Sequence, residues 1–223
     1  MDVIRLSTML PKNPTNSSPD LPEGKSRERM PRDRRRQQLI EISRGVFAER
    51  GYEAASLEEI AERAGISRPI LYSHFGDKRG LFEVVVNEQI EKVARVVTEA
   101  LALPGEPRDL VEQGMRAFFT YVRDHPEGHA VLTREAPVLM SGEGLGVMLD
   151  GLSENITQLI VGQTRAMGLD PSPAPIFANA LIGIGAHVGR WWREHPEVPL
   201  DAVTTWSTDL VWSGFAGLLA RGK

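Results

Sequence analysis

Apolar side chains along this chain recur at three- and four-residue intervals, and glycine and proline interrupt them at regular points. Leu39, Ile42, Val46 and Phe47 share one helical face and Gly51 follows as a stop, which predicts a first helix starting near Arg34. Ser56 and Glu59 have the spacing of a capping box, after which Leu57, Ile60, Ala61 and Ala64 line one side of a short second helix ending at Gly65. Ser67 is placed to cap a third helix. Pro69 is tolerated in its first turn, where the amides have no intrahelical acceptor, and Gly76 ends it. Asp77 caps a longer fourth helix with Val86, Ile90, Val93, Val97 and Leu101 on one stripe, broken by Pro104 and Gly105. Further helical segments are predicted at 107–124, 128–139, 143–167, 173–194 and 200–220. No segment alternates persistently with period two and no internal repeat is present, so the fold class is all-α.

Composition narrows the function classes. Without cysteine there are no disulfides, thiolate metal sites or cysteine nucleophiles, which fits a reducing cytoplasm. The N-terminus does not read as a secretory signal, and the most apolar stretch, Ile176 to Trp192, is short for a membrane span and carries Asn179, His187 and Arg190. Residues 1–31, with Pro11, Pro14, Pro19 and Pro22, have too few spaced apolar side chains to offset the entropy of ordering and are expected to form a disordered arm. The net charge of −4 conceals an asymmetry: residues 1–80 carry 15 Lys and Arg against 12 Asp and Glu, and residues 81–223 carry 11 against 18. From Lys25 to Arg36, seven basic residues face only Glu28 and Asp33, a pattern suited to a polyanion or to a solvated tail.

The two short helices joined through Ala64-Gly65-Ile66 match a helix-turn-helix, in which one helix braces a recognition helix in the major groove. On the third helix, Ile66, Ile70, Leu71 and Phe75 are assigned inward, leaving Ser67, Arg68, Pro69, Tyr72, Ser73 and His74 outward for bases and phosphates.

The run from Ser56 to Lys78, SLEEIAERAGISRPILYSHFGDK, with Phe47-Ala-Glu-Arg-Gly-Tyr52 before it, resembles the TetR family of bacterial one-component regulators. The resemblance implies an N-terminal DNA-binding domain at 32–80, a C-terminal ligand-binding and dimerisation domain at 81–223, and no catalytic residues or cofactor. It implies that Arg68 and Pro69 meet bases, that Tyr72 and His74 sit on phosphate or sugar, that Lys78 holds a phosphate and that Ser56 presents a helix N-terminus to the backbone. One helix reads only a few base pairs, so useful specificity requires a dimer on a near-palindromic operator. The fourth helix is the expected coupling element, and repression the expected mode.

In the C-terminal half, Met115, Phe118, Phe119, Leu132, Met148, Phe177 and Leu181 are core residues or, as the resemblance implies, the lining of a hydrophobic effector site, with Asn155 and Gly185 beside them. Trp206, Leu210, Trp212 and Phe215 on the last helix are expected at a homodimer interface, while Trp191 is a candidate to close the pocket. The MPRDRR start of the first helix and the Gly-Arg-Trp-Trp run are similar to an actinobacterial subgroup that includes a regulator of fatty-acid synthesis sensing long-chain acyl-CoA, which implies a lipid-like effector; a drug-efflux or catabolic regulator with another hydrophobic ligand is the alternative. Two look-alikes are rejected. Gly183-Ile-Gly185-Ala-His-Val-Gly189 imitates a dinucleotide fingerprint, the basis of a rival oxidoreductase reading, but no strand precedes it. His125-Pro-Glu-Gly-His129 imitates a paired zinc site, but Pro126 and Gly128 are expected to break the helix it needs, leaving a connecting turn.

Overall fold

A computed structural model describes residues 31–134, 143–166, 168 and 170–219, with the side chains at 143–150, 152 and 215–219 outside the description. Every regular element among the described residues is a helix: α1 (Arg32–Arg50), α2 (Leu57–Arg63), α3 (Arg68–Phe75), α4 (Lys78–Leu101), α5 (Pro107–Asp124), α6 (Pro126–Arg134), α7 (Glu143–Ala166), α8 (Ala174–Glu194) and α9 (Leu200–Leu219). The fold is all-α, and the helix periods read from apolar spacing recover nearly every boundary.

Local chemistry sets the helix ends. Ser56 Oγ accepts from the Glu59 amide at 3.1 Å and starts α2. The reciprocal half of the expected capping box gives way to ion pairs, since Glu59 meets Arg63 at 2.7 Å and Arg50 at 3.5 Å. Gly65 adopts φ +63°, a conformation costly for other residues, and this lets the Ile66 amide reach back to the Ala61 carbonyl at 3.0 Å and close α2. Ser67 occupies the N-cap position of α3 in extended conformation, but its side chain makes no capping bond. Asp77 does cap α4, its carboxylate accepting from the Gly80 amide at 2.8 Å.

One expectation is overturned at α6, where Pro126 and Gly128 do not break a helix. Proline takes the first helical position, whose amide would have no partner anyway, and the His129 amide then bonds the His125 carbonyl at 3.0 Å. The helix begins at Pro126 instead of 128, and residues 135–139 of the expected segment lie outside the described residues.

Two apolar clusters hold the helices together, and α4 belongs to both. Leu81, Phe82, Val85 and Val86 pack with Leu39, Val46 and Phe47 of α1, Ile60 of α2, Leu71 of α3 and Val131 of α6. Further along, Val93 joins Met115, Phe119 and Val122 of α5, Trp192 of α8, and Val203 and Val211 of α9. Each large buried side chain contributes about 1.5–3 kcal/mol, so α4, about 36 Å long, is clamped at both ends. The first helices and the later bundle therefore share one continuous strut, within the single compact unit that starts at Arg32. No helix among the described residues is long and apolar enough to cross a membrane.

Candidate nucleic-acid interface and ligand cavity

Leu71 is buried in the first core and anchors α3, which leaves Arg68, Pro69, Tyr72 and Ser73 exposed along its outer side, with Ser67 exposed at its start. Ile70 corrects the sequence assignment: it is 41% exposed and stands on the outer surface between Arg68 and Tyr72. With Leu71 and Phe75 facing inward, a residue one step before Leu71 is rotated about 100° from the buried line. Arg68 pairs with Glu58 of α2 at 2.5 Å and Ser73 Oγ donates to the Ile70 carbonyl at 2.7 Å. Both are exposed local contacts of small worth, exchangeable for a phosphate or a base edge.

Positive charge borders this face. Arg32, Arg34 and Arg36 are exposed at the start of α1, and the Arg36 guanidinium lies 5.3 Å from the centroid of the Phe75 ring. His74 is half-buried beside them, and burial, followed by the charges of Arg32, Arg36 and Arg35, lowers its pKa. Lys78 Nζ donates to the Glu53 carbonyl at 3.0 Å and sits 4.5 Å from the Tyr52 ring centroid. An ammonium has three donors, so Lys78 is held in place with donors to spare for a phosphate oxygen. Ser56 is half-buried and engaged at the start of α2.

Residues of α4 to α8 line a partly open cavity of about 520 Å³, with Trp212 of α9 also on its wall. Its surface is mostly aliphatic and aromatic: Ile90, Val93 and Val97 from α4, Met115 and Phe118 from α5, Leu132 from α6, Ile156 and Leu159 from α7, Phe177 and Leu181 from α8. At Gly185 the wall is closely packed, because a Cβ there would lie 3.2 Å from Phe118 Cζ. His129, Thr133, Asn155, Gln163 and Asp170 add polar groups. Thr133 Oγ1 already donates to the His129 carbonyl at 2.8 Å, and Asp170 accepts from the Ser172 hydroxyl at 2.6 Å, which keeps its carboxyl below the usual range.

His129 differs from these. It is 1% exposed, and neither ring nitrogen has a partner of normal hydrogen-bond geometry, the Gly185 backbone offering only a weak hydrogen bond that raises its pKa slightly. Burial, reinforced by the charge of Arg193, lowers its pKa to about 4, so the ring is neutral at physiological pH. A buried polar group left unpaired costs about 1–3 kcal/mol.

A family model described as "Bacterial regulatory proteins, tetR family" matches residues 39–85, and one described as "Tetracyclin repressor-like, C-terminal domain" matches residues 107–214. The HTH-type transcriptional repressor AcnR of Corynebacterium diphtheriae is 42% identical over 198 residues, covering 84% of this chain and 82% of that protein. The chain belongs to the TetR family. Another relative, the HTH-type transcriptional activator FasR of Mycolicibacterium smegmatis, is 28% identical over 191 residues, 84% of this chain and 86% of its own length. At the level of fold alone, FadR from Bacillus subtilis in complex with stearoyl-CoA aligns with a TM-score of 0.69 at 17% identity, covering 80% of this chain and 98% of that one.

As a TetR-family protein, the chain is a helix-turn-helix DNA-binding transcription regulator with a C-terminal ligand-binding domain. Of the residues expected at the ligand site, the structure gathers Met115, Phe118, Leu132, Asn155, Phe177, Leu181 and Gly185 around one cavity. Phe119 is a correction: it is fully buried edge-on against Trp192, ring centroids 5.7 Å apart, and lies off the cavity wall. The side chain of Met148 lies outside the described residues, as does that of Phe215. Trp206 and Leu210 are 63% and 66% exposed on α9, whereas Trp212, expected at the same interface, turns towards the cavity. Trp191 is exposed and stacked on His195 at 4.3 Å, so it does not close the pocket. The glycines at 183, 185 and 189 lie within α8, where Gly185 and Gly189 pack closely on Phe118 and His129 while Gly183 faces open space. Among the described residues no three His, Asp or Glu side chains gather as a metal site. Sequence reasoning missed His129 and Gln163 at the cavity and placed Trp212 elsewhere. Only His129 carried a signal, its place in a two-histidine motif that was read as a turn.

Proposed function

We propose that this protein is a repressor that binds a palindromic operator as a homodimer and releases it when a hydrophobic effector fills the cavity. The observation that carries the reading is α4, which packs on the recognition helix unit at one end and forms a wall of the cavity at the other. An occupant that moves α4 changes the spacing of the two recognition helices in a dimer, and a dimer whose spacing no longer matches successive major grooves loses affinity. Arg68, Pro69, Tyr72 and Ser73 are the proposed base and phosphate contacts, Ser56, Ser67, His74 and Lys78 their flanking phosphate contacts, and residues 1–31 a basic arm that adds salt-sensitive attraction. Exposed Ile70 supplies an apolar surface of the kind that meets a thymine methyl. Trp206 and Leu210 are the proposed centre of the dimer interface, the cell interior its setting.

For the effector, the cavity walls favour a long apolar group, and a fold neighbour was solved with stearoyl-CoA. The test is to select operator sequences from random duplexes with the purified protein, then to titrate long-chain acyl-CoAs, free fatty acids and hydrophobic cations against the complex. A coupling of about 1–3 kcal/mol corresponds to a roughly 5- to 150-fold fall in operator affinity at saturation. Failure to enrich any palindrome would overturn the DNA reading; enrichment with no response to any ligand would overturn the sensor reading; tightening instead of release would overturn release by the effector.

A further inference from the structure

The cavity also carries information about the charge of what it holds. Among the described residues on its wall, Asp170 is charged and no lysine or arginine is present. The stretch from Glu135 to Thr164, which includes all but the last two residues of α7, contains no lysine, arginine or histidine, and Arg165 at the end of α7 is not on the wall. Arg193 acts on His129 from nearby, but its guanidinium donates to the Pro126 carbonyl at 3.3 Å and is not on the wall. A carboxylate drawn into this space would lose its water without gaining a counter-charge, the costliest way to bury an ion.

Set against this apolar and mildly acidic lining is the unpaired imidazole of His129. Phe118 meets the ring at 5.9 Å, nearly perpendicular, on one side. On the other, the ring fits against α8 only because position 189 is glycine, where a Cβ would lie 2.8 Å from Nε2. A neutral imidazole has one N–H donor and one acceptor nitrogen; neither makes a hydrogen bond of normal geometry here, and the Gly185 backbone offers the ring only a weak one. An oxygen carried by a ligand would satisfy it: a carbonyl by accepting from the N–H, or a hydroxyl by donating to the bare nitrogen.

We propose that the effector enters this cavity as an uncharged amphiphile, an apolar skeleton bearing a carbonyl or hydroxyl oxygen that hydrogen-bonds His129, and that free carboxylates are selected against. The inference rests on the reading of the cavity as the effector site. It assigns His129 as a specificity-determining residue, and it places any charged portion of a larger ligand outside the walls. Thioesters, ketones, esters and alcohols fit the requirement; fatty-acid anions of the same length do not.

The experiment uses the full-length protein and displacement of phenylnaphthylamine, an uncharged fluorophore that brightens in apolar cavities. Three competitors of matched chain length are titrated at neutral pH: a dodecanone, dodecanoate and dodecene. The dodecanone is expected to displace the fluorophore about tenfold more tightly than dodecanoate. His129→Phe, which keeps the ring volume but removes both nitrogens, is expected to weaken the dodecanone about fivefold to tenfold while leaving dodecene unchanged. His129→Asn, which restores a donor and an acceptor, recovers part of the loss. Equal binding of dodecanoate and dodecanone by the unmutated protein overturns the proposal whatever the variants do. So does an equal effect of His129→Phe on dodecanone and dodecene, since that is a change of packing alone. If the fluorophore does not bind the unmutated protein, the reading of the cavity as a ligand site falls, and this inference with it.

Discussion

Tyr121 donates its hydroxyl proton to Gln89 Oε1 at 3.1 Å, with both side chains buried between α5 and α4. The first residues of α6 press on the same pair, because a Cβ at Gly128 would lie 2.3 Å from Gln89 Oε1 and 2.7 Å from the Tyr121 oxygen. Three helices thus meet on one polar contact at the junction between the two apolar cores. Gln89 Nε2 already lacks a partner there.

Tyr121→Phe leaves both ends of the Gln89 amide unpaired in a dry site and is expected to destabilise the protein by about 1–2 kcal/mol. Gly128→Ala forces the pair apart and is expected to cost at least as much. Urea titration of the two variants checks this; unchanged midpoints would mean that the junction is more plastic than its packing implies.

Stability is expected to depend on pH through His129. Its pKa falls from the ordinary histidine range to about 4 in the folded chain. As pH drops below about 6.5 the unfolded chain takes up a proton that the folded chain refuses until about 4, so the contribution is complete above 6.5 and lost through that window, by about 3 kcal/mol in all. Denaturation midpoints at neutral and mildly acidic pH should therefore differ less in His129→Phe than in the unmutated protein. An identical pH dependence in both would assign the effect to other groups.

The outer face of α3 yields a third expectation. Tyr72→Ala and Lys78→Ala should each weaken operator binding by about 1–3 kcal/mol with the fold intact, because both remove outward contacts. Ile70→Ala should act at one operator position only, and replacing a thymine there by deoxyuridine, which lacks the methyl group, should reproduce its effect. Fluorescence anisotropy on the selected operator provides the measurement. If Ile70→Ala weakens all duplexes alike, the side chain has no part in reading sequence.

Ile70 also marks where sequence reasoning stops. The helices were legible because glycine, proline and capping residues punctuate a clean helical period, and the α2–α3 turn because Gly65 must take a positive φ at a fixed spacing. The rotation of a helix is harder to infer when apolar residues adjoin, as Ile70 and Leu71 do: only contacts from α1 and α4 decide which of the two goes inside. The same limit governs Trp212, which looks like its neighbours on α9 until a cavity forms beside it. His129 was obscured for another reason. Proline at a first helical position reads locally as a break, and what makes this histidine unusual, burial against glycines sixty residues away, is set by tertiary packing.

Assembly gives a fourth expectation. Trp206 and Leu210 expose more than half of their surfaces one turn apart on α9, an arrangement that water disfavours unless a second apolar face covers it. Trp206→Glu combined with Leu210→Asp is expected to yield a folded monomer with sharply reduced operator affinity. Analytical ultracentrifugation distinguishes this from an unchanged dimer, which would move the interface elsewhere.

With 9 residues, α6 is shorter than the roughly 12–15 at which an isolated helix becomes even marginally stable in water, so its helicity depends on what it lies against. It lies against α1, where Glu127 pairs with Arg44 at 3.3 Å, and against the cavity, where His129 and Leu132 form wall. Amide hydrogen exchange along α6 should therefore slow when the cavity fills, while the longer α5 beside it changes little. The eight backbone N–H groups that follow Pro126 in α6 then act as a built-in gauge of occupancy, readable before either the effector or the operator is known.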